Sequence, residues 1–250
     1  TDATTFKDTN SIFANMEIPN GSPFTSDHLA SMINDDGTVN IDPEGITTDG
    51  GEYLYIASEG IGSIGDDENP IESLNFIFKV DHDGVIHEVI TLPDEINAVQ
   101  SSYGLQGIAY HPSGIIVVCL QRAWEGFDGP IIALYNLDDA MWEGHVQYPL
   151  DDPQSQAGGW VGISEITWVD EGIFHVLERD NQGDLDAAVK KIYAIDLFAT
   201  EGEGETISKV LGADLIDVAG STGGLVIEKI EGMAWNKQGW WIINDNEGVD

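Results

Sequence analysis

The 250-residue chain predicts an all-β fold, a β-propeller whose blades recur about every 60 residues. Three observations carry that prediction. Four pairs of apolar runs begin and end on matching polar side chains. Three of those pairs are followed by one shared aromatic strand pattern, and the copies start near residues 44, 106, 165 and 231. A long fixed period with several short strands per copy marks a repeat architecture, and four strands per repeat mark a propeller blade.

In the first copy, Glu44-Gly45-Ile46-Thr47 precedes Leu54-Tyr55-Ile56-Ala57-Ser58-Glu59. In the second, Gln106-Gly107-Ile108-Ala109 precedes Ile115–Leu120 and Gln121. The third runs from Glu165-Ile166-Thr167-Trp168 to Ile173–Leu177 and Glu178, the fourth from Glu231-Gly232-Met233-Ala234 to Trp240–Ile243 and Asn244-Asp245-Asn246-Glu247. The paired polar residues lie 15 apart in the first two copies, 13 in the third and 14, at Asp245, in the fourth. In an antiparallel hairpin the start of one strand sits beside the end of the next. Both polar residues of a copy therefore fall at one end of the sheet. Third strands follow at Ile77-Phe78-Lys79-Val80-Asp81, Leu134-Tyr135-Asn136-Leu137-Asp138 and Ile192-Tyr193-Ala194-Ile195-Asp196: apolar, aromatic, any, apolar, Asp. Val85–Leu92, Gly144–Leu150 and Ile207–Leu211 are the fourth-strand candidates. Asp83-Gly84, Ser113-Gly114, Glu171-Gly172 and Gln238-Gly239 supply hairpin turns, and no stretch carries a run of helical periodicity.

Residues 1–250 read as a single propeller domain, with 1–43 as outer strands of a preceding or closing blade. A four-bladed ring closed by the N-terminus is arithmetically possible; the plainer expectation is a piece of a larger propeller, since no aromatic-x-apolar-Asp strand precedes residue 44. At 42% hydrophobic the chain can bury a full core. Its 45 acidic and 9 basic residues give a net charge of −36. That balance excludes a nucleic-acid partner held through phosphates, and electrostatic docking on an anionic membrane. No apolar run of about 20 residues calls for membrane insertion. The acidity suits salty water, where self-repulsion is screened. Thr1 without a leading Met fits a processed exported protein or a fragment, and the expected location is extracytoplasmic, periplasmic or secreted. Cys119, the single cysteine, sits in an apolar run and is expected to be a small buried residue. Oligomeric state leaves no signal.

Propeller first strands line the central channel, so Glu44, Glu165 and Glu231 are expected to converge there, with Glu59, Glu178 and Asp245 or Glu247 behind them. Crowded carboxylates repel and raise each other's pKa. A hard cation relieves that cost, and calcium accepts six to eight oxygens in flexible geometry. The expected metal ligands are Glu44, Glu59, Glu178, Glu231, Asp245 and Glu247, with blade-edge turn carboxylates as the alternative. Gln106 and Gln121 interrupt the acidic ring but still offer carbonyl oxygens to a substrate. The only two arginines, Arg122 and Arg179, each follow the second-strand polar residue. Their planar forks suit an anionic group, although pairing with neighbouring acids would also explain them. Gly60-Ile61-Gly62-Ser63-Ile64-Gly65 matches dinucleotide-loop spacing but leads into Asp66-Asp67-Glu68, which would repel a pyrophosphate, and is expected to be a loop. Asp81-His82-Asp83-Gly84 lacks EF-hand spacing and reads as a turn. No G-x-S-x-G elbow supports a serine-hydrolase triad, and His175 is expected to be a satisfied core histidine.

The segments Asp42-Pro43-Glu44-Gly45-Ile46, Gly104-Leu105-Gln106-Gly107-Ile108-Ala109, Val176-Leu177-Glu178-Arg179-Asp180, Lys190-Lys191-Ile192-Tyr193 and Ile230–Trp235 through Glu247 resemble the phytase-like family of bacterial exported proteins, described by an esterase-like activity of phytase. The resemblance runs from about Asp42 to Asp250. Glu178-Arg179-Asp180 with Lys190-Lys191-Ile192-Tyr193 is its most specific part, and Gln106 departs from a usual Glu-Gly pair. Family members resemble β-propeller phytases, which are calcium-dependent phosphomonoesterases. The resemblance thus implies a propeller hydrolase outside the cytoplasm acting on a small anionic ester. In that reading Glu165 and Glu178 serve as bases or ligands, Arg122 and Arg179 grip the anion, and Gln106, Gln121 and Asp180 contact substrate. The alternatives are a non-catalytic extracellular calcium-binding propeller and a lactonase-type propeller hydrolase.

Overall fold

A computed structural model describes residues 5–199, 202–223 and 226–245. Near the N-terminus, β1 (Phe6–Lys7) pairs antiparallel with β2 (Thr38–Val39), and α1 (Ser26–Ser31) lies between them. Three antiparallel meanders follow. The first comprises β3 (Pro43–Thr48), β4 (Tyr53–Ser58), β5 (Phe76–Asp81) and β6 (Ile86–Thr91). After α2 (Asp94–Asn97) comes the second: β7 (Leu105–His111), β8 (Ile115–Leu120), β9 (Ile131–Asn136) and β10 (Met141–Gln147). The third comprises β11 (Val161–Asp170), β12 (Ile173–Asp180), β13 (Lys190–Asp196) and β14 (Lys209–Asp214). α3 (Leu215–Thr222) then leads to a hairpin of β15 (Ile230–Asn236) and β16 (Gly239–Asn244). The all-β expectation holds, and several four-stranded sheets in series are compatible with propeller blades.

The first strands pack side by side, β7 between β3 and β11, with β15 on the far side of β11. Glycine makes that approach possible. A Cβ on Gly45 would lie 2.7 Å from the Gln106 carbonyl, and one on Gly107 would lie 2.6 Å from the Ile166 nitrogen. Sheet faces then stack on one another. Tyr55 and Ile77 of the first sheet bury against Ile108 and Val118 of the second, while Val117 and Ile132 bury against Phe174 and Val176 of the third. β8 is consequently covered on both faces, which is why Ile115-Ile116-Val117-Val118-Cys119-Leu120 reads as a continuous apolar run rather than an alternation. Each such side chain contributes about 1.5–3 kcal/mol on burial. Phe13, Phe24 and Leu29 cover the outer face of the first sheet over Phe76 and Phe78, so the N-terminal segment serves as its lid.

Three expectations need correction. Short helices exist: α1 is held by a Thr25–His28 capping box, and α3 by the Asp214 cap and a left-handed Gly223. At four to eight residues each, they are too short to leave a periodic signal. The second copy's third strand is displaced. Asn136, not Asp138, pairs with Ile115 as Asp196 pairs with Ile173, and a two-residue slip keeps every side chain on its face.

The third correction bears on the site. Every first hairpin carries a bulge, and it falls at Glu44, Gln106, Ser164 and Glu231. Ser164, not Glu165, therefore matches Glu44, while Glu165 takes the place of Gly45, Gly107 and Gly232. On the second strands, Ser58, Leu120, Glu178 and Asn244 face the residue before the bulge. Their successors Glu59, Gln121, Arg179 and Asp245 are the equivalent set, so Arg122 lies one residue beyond the position of Arg179. The resemblance of Glu165-Ile166-Thr167 to Glu44-Gly45-Ile46-Thr47 misleads by one residue, and one residue in a strand exchanges its faces.

Candidate functional site: a four-sheet pocket lined by carboxylates

Bulge or successor positions from each of the four sheets open onto one pocket of about 600 Å³. Glu44, Gln106 and Glu231 line it from the bulges, and Glu59, Gln121, Arg179 and Asp245 from the second strands. Asp42, Tyr103, Trp160 and Asn181 complete its rim, with Glu228 and Lys229 leading into β15. A bulge turns a side chain out of the ladder; three of the four bulge residues reach this space, and the fourth, the buried Ser164, accepts from Arg179 Nε instead.

On one wall, single oxygens of Asp42, Glu44 and Glu59 lie within 4.8 Å of one another. Burial, then repulsion from Glu59, Asp42 and Glu231, pushes the Glu44 carboxyl up to about 8, against a hydrogen bond from Gln106. Burial also raises Glu59, opposed by the Gly104 amide, which donates to Glu59 Oε1 at 2.6 Å, and by the Tyr103 amide. Three hard oxygen donors at mutual repulsion fit a divalent cation: the donor type is the one calcium takes, and a positive charge there removes the repulsion. The cluster could hold a metal ion. Asp42 was outside the predicted ligand set; it lies immediately before β3, two residues ahead of the bulge at Glu44.

Arg179 enters the pocket from the third sheet, paired with Glu231. Its Nη2 donates to Glu231 Oε1 at 2.5 Å, and its Nε donates to Glu231 Oε2 at 3.3 Å and to Ser164 Oγ at 2.9 Å. The bulge residue Ser164 thus holds an arginine where its counterparts Glu44 and Glu231 present carboxylates.

Other predicted residues lie elsewhere. Glu165 is buried between β7 and β11, accepting from Ile108 N at 3.2 Å and Ile166 N at 2.9 Å. Burial holds its carboxyl well above the ordinary range. Glu178 is wholly buried on the face of β12 away from Arg179, where Tyr148, the Asp151 amide and Lys209 all donate to it. Asp151 there also binds Lys191, Lys209 and Tyr193, and these partners hold its carboxyl down at about 2 despite burial. Asp180 is buried against Lys190 at 2.9 Å and accepts from Ala188 and Val189 amides. Lys190 also donates to the Glu228 carbonyl, tying the third sheet to the pocket rim. Glu178-Arg179-Asp180 therefore sends three side chains into three different ion networks, and only Arg179 reaches the pocket. Arg122 lies beside the pocket, over two of its rim aromatics. Glu247 lies outside the described residues. Cys119 and His175 are buried as expected, and His175 Nδ1 accepts from Trp240 Nε1 at 2.8 Å.

The sequence matches the phytase-like family, described as esterase-like activity of phytase, over residues 1–248. The chain belongs to that family. Membership suggests a hydrolase-type function. No curated protein matches the chain.

Proposed function

We propose that this phytase-like chain is a metal-dependent ester hydrolase, that its sheets are consecutive propeller blades, and that the pocket is the mouth of their channel. The observation that carries the reading is the meeting of Asp42, Glu44 and Glu59 oxygens within 4.8 Å in a pocket that Arg179 closes from another sheet. Asp42, Glu44 and Glu59 would hold calcium, which when bound supplies Lewis acidity to an ester oxygen and to water. Around it the chain's own groups set the geometry. Gln106 steadies Glu44 by its hydrogen bond, the Gly104 amide fixes Glu59, and Arg179 locks Glu231 in place. Gln121 and Asn181 add neutral amides to the lining, suited to an ester's oxygens. The substrate is a small anionic ester, and the net charge of −36 suits an extracytoplasmic, saline setting.

A second reading, a non-catalytic calcium-binding propeller, draws on the same Arg179, because Glu231 already neutralises the one arginine lining the pocket. The two separate on turnover of p-nitrophenyl phosphate and p-nitrophenyl acetate with calcium and with chelator. Calcium-dependent hydrolysis that Glu59→Gln abolishes, in a variant that still folds, supports the enzyme. Calcium binding without turnover of any ester tried overturns it.

A further inference from the structure

We propose that Arg122, which stands just outside the pocket lining on an aromatic shelf of the rim residues Tyr103 and Trp160, recognises an oxyanion at the pocket's edge, so that the preferred ligand carries an oxyanion beside a flat apolar group. This deepens, and rests on, the reading of the pocket as an ester site. The two arginines differ in one decisive respect. Arg179 is neutralised by Glu231, whereas among the described residues the Arg122 side chain forms no hydrogen bond and no ion pair. In a chain with 45 acidic residues, a half-buried guanidinium without an acid partner is out of character, since a surface pair is easy to form there.

What holds Arg122 is aromatic. Its guanidinium carbon lies 5.0 Å from the centre of the Tyr103 ring and 5.3 Å from that of Trp160, and the two rings are themselves 5.3 Å apart. Stacking engages the face of a guanidinium and leaves its N–H edges free to bind an oxyanion in two-pronged fashion. Both rings line the pocket; Trp160 also carries the Arg179 guanidinium carbon 5.3 Å from its centre, while Tyr103, 38% exposed, offers apolar surface to a ligand held by Arg122. Tyr103 is also held in the left-handed region, at a φ of 67°. A side-chain-bearing residue there costs on the order of 1–3 kcal/mol and persists where its surroundings demand it. The next amide, that of Gly104, is committed to Glu59, which fastens the shelf to the carboxylate wall. An anion approaching a protein of net charge −36 meets repulsion over most of the surface, so recognition needs a local unpaired cation.

Equilibrium binding tests this without relying on turnover. The full chain, with calcium at fixed salt, is titrated with phenylphosphonate, benzoate, inorganic phosphate and neutral benzyl alcohol, followed by calorimetry and tryptophan fluorescence. Phenylphosphonate or benzoate should bind, whichever is tighter naming the oxyanion as phosphoryl or carboxylate. Benzyl alcohol should not bind, and inorganic phosphate should bind more weakly than phenylphosphonate. Arg122→Gln should weaken the aromatic oxyanion at least tenfold, and Arg122→Lys, which keeps charge but loses the fork, by an intermediate factor. If Arg122→Gln folds poorly, Arg122→Lys decides. Unchanged affinity in these variants, absence of oxyanion binding, or equal binding of benzyl alcohol overturns the proposal. Arginine-dependent binding without ester turnover would sink the hydrolase reading alone. Ester turnover with unchanged binding in Arg122→Gln would sink this one alone.

Discussion

Glu44→Gln should shift stability in opposite directions with and without calcium. In the free protein, burial and three neighbouring carboxylates raise the Glu44 carboxyl from 4.5 to about 8. Between those two pH values the folded chain keeps a proton that the unfolded chain has lost, so stability falls as pH rises through the window. Each pKa unit is about 1.4 kcal/mol, which would give roughly 5 kcal/mol for a fully enclosed group. Glu44 lines an open pocket, and solvent screening reduces the effect to about 1–2 kcal/mol. Gln keeps the size and cannot ionise, so in chelator near pH 9 the variant should melt roughly 2–8 °C higher than the parent. Below the ordinary carboxylate range the two should coincide. Calcium reverses the comparison, because the variant has lost a ligand. At a hundredfold excess over Kd a bound ion adds about 2.7 kcal/mol to the parent, and most of that gain should disappear. Scanning calorimetry over a pH series, with and without calcium, reads both effects. Equal melting temperatures in chelator across the series, together with an unchanged calcium shift, would refute both the crowding and the cation site.

Three further outcomes follow from the packing. Gly107→Ala should destabilise by about 1–3 kcal/mol, since its Cβ would meet Ile166 N at 2.6 Å and Glu165 Oε1 at 2.8 Å; Gly220→Ala in α3, with open space around it, should be neutral or slightly stabilising, and chemical denaturation with equal effects would contradict the close approach of first strands. Glu165→Gln should lie within about 1 kcal/mol of the parent at neutral pH, because burial disfavours the charged form of that carboxyl and an amide oxygen can accept the same two N–H groups, while Glu165→Ala should lose about 2–4 kcal/mol. A Gln variant as unstable as the Ala variant would count against that. Burial lowers His175 below its ordinary 6.5, and its Nδ1 must stay bare to accept Trp240 Nε1. The contact therefore contributes fully above that value and is lost as pH falls through the lowered one. Fluorescence of Trp235 and Trp240 should change with this acid titration and lose it in His175→Phe; an identical profile in the variant would exclude His175 as its source.

The repeat itself was legible in the linear sequence because strand periodicity, turn residues and apolar runs are local properties, written within about a dozen residues of one another. Ile115–Leu120 announced a strand covered on both faces, and Asp83-Gly84 and Gln238-Gly239 announced turns at which Gly84 and Gly239 adopt positive φ. The −36 charge and the acid-bearing ends of the hairpins pointed to a carboxylate-lined site. Which acids meet was a different matter. Glu165, Glu178 and Asp180 look like site residues in sequence, yet each is satisfied inside the fold, by Ile108 N, by Lys209 and by Lys190. Ser164 and Asp42 carry no strong signal of their own and are decided by where the bulges fall. A bulge adds one residue without changing composition, and one residue moves a side chain from a pocket-facing position to a buried one. Trp160 and Tyr103 reach the pocket from loops preceding their strands, and their joint contact with Arg122 spans residues far apart in the chain. Local pattern therefore determined the strands and the charge of the site. The register between strands, and the stacking of the sheets with their first strands side by side, determined its membership, because only those place distant side chains within bonding distance.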